Sequence, residues 1–180
     1  MRSRKRNKIF GNTLVLFLVL FLQQAIAQQL NPKLVSAFVY NFTQNISWPA
    51  SQKTGTFVIG VYKSAAIADN FTRAIANRMV GDQSIVLKTV ENINEQDKYS
   101  ILFIPLKESG SIPQISQALK GKPILIISEK PGLWRKGSSI NLFLDEDDDY
   151  KTKFELNKTA IESTGMLITN KLLQLAATVK

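Results

Sequence analysis

The chemistry open to this chain is bounded first by what it lacks: its 180 residues contain no histidine and no cysteine. Ser-His-Asp and Cys-His nucleophilic catalysis are thereby excluded, as is every zinc site built on imidazole or thiolate. Carboxylate chemistry remains, and so does an oxygen-ligated Ca²⁺ site. Glu129, Glu155 and Asp145 are the carboxylates to weigh as acid or base. No motif pairs two of them, so neither enzymatic activity nor a cofactor is expected. The run Asp145-Glu146-Asp147-Asp148-Asp149 offers hard-cation ligands. It lacks the alternating D-x-D-x-D-G spacing and the distant bidentate glutamate of an EF-hand, and a solvated hairpin turn suits it better than a metal site.

Residues 130–137 (KPGLWRKG) follow an apolar run. In open parallel sheets, ligands sit beyond the carboxyl ends of strands. Trp134 has the ring to stack a ligand, and Arg135 and Lys136 have the charge to pair with an anion. The competing reading is a turn with two solvated cations and a tryptophan covering the sheet edge. Gly132 and Gly137 do not have the spacing of a phosphate loop. Trp48-Pro49 closes a helix and is expected to staple it to the core.

The elements that must position these residues follow from periodicity. From Pro32 to Ile46, Leu34, Phe38, Phe42 and Ile46 recur every four positions with Val35 and Val39 alongside, predicting a helix capped by Asn31. Thr56 to Tyr62 is a short strand, Ala65 to Arg78 a helix, Gly81-Asp82 a turn and Ser84 to Val90 a second strand. Glu91 to Lys98 is polar and holds at most a helical turn. Ser100 to Leu106 and Pro123 to Ser128 are nearly continuous apolar runs, as strands covered on both faces require. Between them Ile112 to Leu119 is a short helix ended by Gly121. Ser139 to Leu144 and Tyr150 to Leu156 flank the acidic run as an antiparallel β-hairpin, with Phe154 and Leu156 on one face and Lys153 and Glu155 on the other. Asn157 caps a helix to about Thr164, Gly165 stops it, and a last helix spans roughly Thr169 to Val179. The expected fold is α/β: a mainly parallel sheet flanked by helices on both faces, with a C-terminal antiparallel β-hairpin and two C-terminal helices.

The N-terminus reads as a cleavable export signal. Arg2, Arg4, Lys5, Arg6 and Lys8 form a positive n-region, Leu14 to Leu22 an apolar stretch, and Ala25-Ile26-Ala27 a small-residue exit. The apolar run is shorter than the about 20 residues a spanning helix needs. Cleavage after Ala27 is expected, leaving residues 28–180 as a single domain. Taking the five n-region cations from the 23 basic residues leaves 18 against 14 acidic ones, a net charge of +4. That is an ordinary solubility charge and no footprint for nucleic acid.

The segment 33–42 (KLVSAFVYNF) with Trp48-Pro49 after it resembles the opening of the YfiR-like periplasmic proteins. The likeness continues in order through 58–61 (VIGV), 101–104 (ILFI), 121–128 (GKPILIIS), 137–143 (GSSINLF), 153–157 (KFELN) and 165–176 (GMLITNKLLQLA). The resemblance implies a periplasmic repressor that binds the periplasmic part of a membrane diguanylate cyclase and holds it inactive. Its release raises cyclic di-GMP and promotes biofilm formation. Related domains accompany sensor kinases, so a histidine kinase is the other partner class, and a homodimer is also implied. The family's contact positions fall at Phe143, Glu155 and Ile161 here. Founding members carry disulfides, which a cysteine-free chain cannot use. The alternative function is a periplasmic small-molecule binding protein using Trp134, Arg135 and Lys136.

Overall fold

Apolar side chains at both parities of a strand demand burial on two faces, and the central strands of this chain have them. The computed structural model describes residues 30–94 and 98–180, so the expected signal segment and its cleavage site lie outside the described residues. In chain order the elements are α1 (Pro32–Asn45), β1 (Ile46–Ser47), β2 (Phe57–Tyr62), α2 (Ala65–Ile75), β3 (Met79–Val80), β4 (Gln83–Val90), β5 (Ile101–Ile104) and α3 (Ile112–Ala118). They continue with β6 (Leu125–Ser128), β7 (Ile140–Asp145), β8 (Lys151–Leu156), α4 (Lys158–Glu162), β9 (Leu167–Ile168), α5 (Asn170–Leu175) and β10 (Thr178–Val179).

Eight strands form one sheet in the order β10-β8-β7-β6-β5-β2-β4-β3. β4, β2, β5, β6 and β7 run parallel, whereas β3 and β8 pair antiparallel with their neighbours. The mainly parallel sheet, the helices on both faces and the terminal hairpin are as the periodicity predicts.

Alternation along the strands divides the interior into two cores. Phe57, Ile59 and Val61 of β2, Ile101 and Phe103 of β5, and Leu125 and Ile127 of β6 pack on one face with α1, α2, α4 and α5. Val58, Leu102, Ile104 and Ile126 turn to the other face and meet Ile112, Ile115 and Leu119 from α3 and its end. Asn31 caps α1, its side chain accepting from Lys33 N at 3.0 Å. The stripe that α1 buries is Val35, Val39 and Phe42; Leu34, one turn earlier, is 42% exposed. Phe42 meets Phe154 of the hairpin edge-on, centroids 5.1 Å apart, which ties the first helix to the last strands. Trp48 staples as expected: it is buried, stands edge-on to Phe57 and donates from Nε1 to Ser100 O at 3.2 Å.

The chain departs from the periodicity where elements end. The helix expected from Thr169 to Val179 stops at Leu175. Ala176 is extended, and β-branched Thr178 and Val179 pair with the outer edge of β8, whose backbone groups otherwise lack partners on that side. The helix after Asn157 ends at Glu162, and the one from Ala65 at Ile75. Pro105 ends β5, and Leu106–Ser111 form a 3-10 turn instead of prolonging the strand. β1, directly after the first helix, pairs antiparallel with β9, directly before α5, as a small ribbon that periodicity did not announce. No helix among the described residues is long and apolar enough to cross a membrane.

One close approach fixes where the polar loop lies. Leu133–Lys136 form a 3-10 turn bounded by Gly132 and Gly137, both left-handed. A Cβ at Gly137 would stand 2.5 Å from Ser116 Cβ of α3, in a backbone at φ 101°. Gly121 (φ 77°) has nothing within 4 Å of its added Cβ. Gly121→Ala is therefore expected to carry only the backbone strain, about 1 kcal/mol, whereas Gly137→Ala adds overpacking for about 2–4 kcal/mol in all. Urea unfolding of the two variants checks the contrast, and equal losses would remove the claimed contact with α3.

Candidate functional site

A polar residue inside a buried strand must be hydrogen-bonded, and following those bonds leads to the site. Asn141 lies on β7 with its side chain fully buried. Ser128 donates to its Oδ1 at 2.6 Å, and Ser138 donates to the same oxygen. Its Nδ2 donates to Glu155 Oε2 at 3.1 Å, across the β7–β8 register in which Asn141 faces Glu155. The same Oε2 accepts from Gly132 N at 2.7 Å. Asn157, besides capping α4, donates from Nδ2 to Trp134 O at 3.3 Å. The turn is thus held by Glu155, by Asn157 and by Leu133, which is buried in the second core.

The pinned turn presents Trp134, Arg135 and Lys136 beside the hairpin. Arg135 and Lys136 are exposed, the Arg135 guanidinium carbon lies 4.4 Å from the Trp134 ring centroid, and Lys180 Nζ lies 5.4 Å from it. Further along the same strand face comes half-buried Phe143, opposite Lys153. Lys153 Nζ sits between Asp145 at 2.6 Å and Asp148 at 3.0 Å, and Lys151 pairs with Asp148 at 2.7 Å. These lysine hydrogen bonds hold the Asp145 and Asp148 carboxyls below the usual carboxylate range, and they raise the Lys153 ammonium. Lysines therefore occupy the carboxylates that a cation would need. Among the described residues, no three His, Cys, Asp or Glu side chains come together to hold a metal ion.

One face of the hairpin and its adjoining turn thus brings together Phe143, Glu155, Trp134, Arg135 and Lys136. Ile161 is not with them. It is fully buried in the first core, on the opposite side of the sheet. Glu155, on the strand face opposite Phe154 and Leu156 as the alternation predicts, turns its carboxylate to the backbone of Gly132. Asn141, Ser128, Ser138 and Lys180 were missed as members of the site. The first three had a signal, polar residues within apolar strands; Lys180 had none.

A family model described as YfiR/HmsC-like matches residues 32–177. The chain belongs to the YfiR/HmsC-like family. This family is one of signalling regulators. No curated protein matches this family member in sequence. Two solved structures are similar: a conserved domain protein from Vibrio cholerae O1 biovar El Tor (12% identity, TM-score 0.57) and an ABC domain in complex with L-Trp from Streptococcus pneumonia (13% identity, TM-score 0.58). Each likeness covers 83% of this chain and 60% of the other, so the chain spans about three-fifths of those structures' length. At such identity they show the fold of this YfiR/HmsC-like domain alone.

Two carboxylates give expected outcomes. Glu155→Ala leaves Gly132 N–H and the Asn141 amide without their acceptor and is expected to cost about 1–3 kcal/mol. Amide exchange at Gly132 should quicken more than at Ile127, and unchanged exchange there would refute the pin. Glu129, at the end of β6, accepts from Leu106 N at 2.9 Å, and burial pushes its carboxyl above the usual value despite that bond. A raised carboxyl binds its proton more tightly when folded. Its contribution is therefore complete below the ordinary value of 4.5 and is lost as pH rises through the higher folded value. Glu129→Gln keeps the acceptor and cannot ionise. Thermal melts on either side of that range should show it more stable than the parent at neutral pH and not in acid.

Proposed function

We propose that this protein is a periplasmic regulator that binds the periplasmic part of a membrane diguanylate cyclase or sensor kinase and holds it inactive. In this reading the signal is removed after Ala27, and residues 28–180 act as a single domain. The observation that carries it is the family match over residues 32–177, which runs from the start of the first helix to the residue before β10. The hairpin face supports it locally. Phe143 and Glu155, the positions at which the resemblance puts contacts, lie beside a rigidly held aromatic and cationic turn, and aromatic and arginine side chains are the usual anchors of an interface.

A ligand-binding role for Trp134, Arg135 and Lys136 gains less. The protein's own cations already lie against the ring. Two surface grooves, of about 370 and 640 Å³, are lined by other residues.

The test is made in the native host with a cyclic di-GMP reporter and with co-purification of a membrane enzyme that carries a cytoplasmic cyclase or kinase domain. Loss of the gene should raise reporter output. Phe143→Asp, placed on the half-buried hairpin face, should do the same while the purified variant still melts cooperatively. Retention of the membrane enzyme should fall about tenfold or more, the usual effect of losing an interface anchor. A folded Phe143→Asp protein that represses and co-purifies normally would remove this face from the interface.

A further inference from the structure

Residues 176–180 leave α5 and lie along the outer edge of β8. Asn157 N donates to Ser139 O at 2.8 Å, which sets the phase of the β7–β8 ladder. Lys151, Lys153 and Glu155 therefore direct their backbone groups to β7, and Thr152, Phe154 and Leu156 direct theirs to the outer edge. Ala177 N donates to Phe154 O at 2.9 Å and Lys180 N to Leu156 O at 2.8 Å. Strand pairing with β10 covers only Glu155 and Leu156, whereas β8 pairs with β7 over all six of its residues. Thr152 lies past the beginning of β10. This terminal strap buries little: Ala177 and Lys180 are exposed, Val179 is 41% exposed, and the last buried residue of either core is Leu172.

We propose that the outer edge of β8 is a docking rail for an extended segment of a partner protein, and that residues 177–180 are its displaceable occupant. The identity of that partner rests on the regulatory reading above; the existence of the rail does not. A row of outward backbone donors and acceptors selects extended backbone over any other ligand, since each pairing group must find a complement. The register states what its side chains must be. Val179 stands beside Leu156, so alternate residues of the incoming strand meet the first core and are apolar. Thr178 stands beside Glu155, so the intervening residues face Trp134, Arg135 and Lys136. Those cations call for carboxylates there. Departure of the strap also withdraws Lys180 from the Trp134 ring. Few buried contacts place the strap at the low-stability end of the fold.

A chain ending at Ala176 keeps every buried residue of both cores. Its probe is a labelled synthetic peptide of residues 173–180 (LQLAATVK), with a second peptide N-methylated at Ala177. Fluorescence anisotropy should show the shortened chain binding the first peptide about tenfold or more tighter than the full chain does, because the full chain's rail is occupied. Methylation should weaken binding about tenfold, the loss of one backbone hydrogen bond. Trp134 emission should change on shortening and return with peptide. A folded shortened chain that ignores the peptide, or binds both peptides equally, overturns the rail. Light scattering that finds the shortened chain dimeric overturns a foreign partner in favour of a second copy. In the full chain, the amides of Ala177 and Lys180 should exchange about a hundredfold or more faster than those of Ile101–Ile104. Equal protection overturns displaceability even if the shortened chain fails to fold. None of these measurements uses the membrane enzyme, so their failure leaves the repression test standing, and the converse holds.

Discussion

The Asn141 side chain is the point on which the hairpin face depends. A primary amide buried in a sheet is costly unless all its groups are paired. Here two serine hydroxyls meet its oxygen, and its nitrogen donates to Glu155. Glu155 in turn holds the backbone of Gly132. A requirement that begins in the core is thereby passed outward until it fixes a surface turn, and among the described residues no buried side-chain nitrogen or oxygen lacks a partner. The position of Trp134 follows from this chain of bonds and from the glycine contact with α3, not from any preference of its own side chain.

The body that supports this network has no covalent crosslink. Its rigidity comes from burying both faces of the central strands, β2, β5 and β6, under helices that arrive from opposite sides. Gly60 shows how tightly side chains of the neighbouring strands close over β2: a Cβ there would stand 2.9 Å from Val90 and 3.1 Å from Tyr99. The disulfides that the family resemblance associates with founding members have no counterpart. A thiol-disulfide signal therefore has no group to act on here, and the contacts least supported by burial are those of the terminal strap.

Much of the architecture was legible because it is written in periodicity. The all-apolar runs of β5 and β6 named a two-sided sheet, and the Phe154/Leu156 alternation gave the hairpin its buried side correctly. What escaped were features decided between elements. Ala176 and Ala177 continue a helix-compatible run, and pairing with the outer edge of β8 draws Thr178 and Val179 into a strand. The β1–β9 ribbon has two residues on each side, too few for any alternation to register. At the candidate site, the resemblance named Phe143 and Glu155, and the setting of the 130–137 loop named Trp134. The direction of the Glu155 carboxylate was not legible, because strand alternation says which face a side chain leaves by and nothing about a turn that folds back over it. Ile161 came with the family's contact positions, yet helix α4 carries it into the first core.

The two parts of this face contribute differently to association. The Trp134 turn is held before any partner arrives, so little ordering entropy is spent on it at binding. The strap is the opposite case. If a partner strand replaces it, the measured affinity is the intrinsic affinity reduced by the fraction of molecules whose edge stands open. A regulator that works by contact alone must favour one state of its target by differential affinity. In the proposed complex the held turn would fix which target is recognised, while the weakly held strap would set how much of the protein is competent to bind. A shift in the strap's opening equilibrium would then change inhibition without altering a single contact in the bound complex.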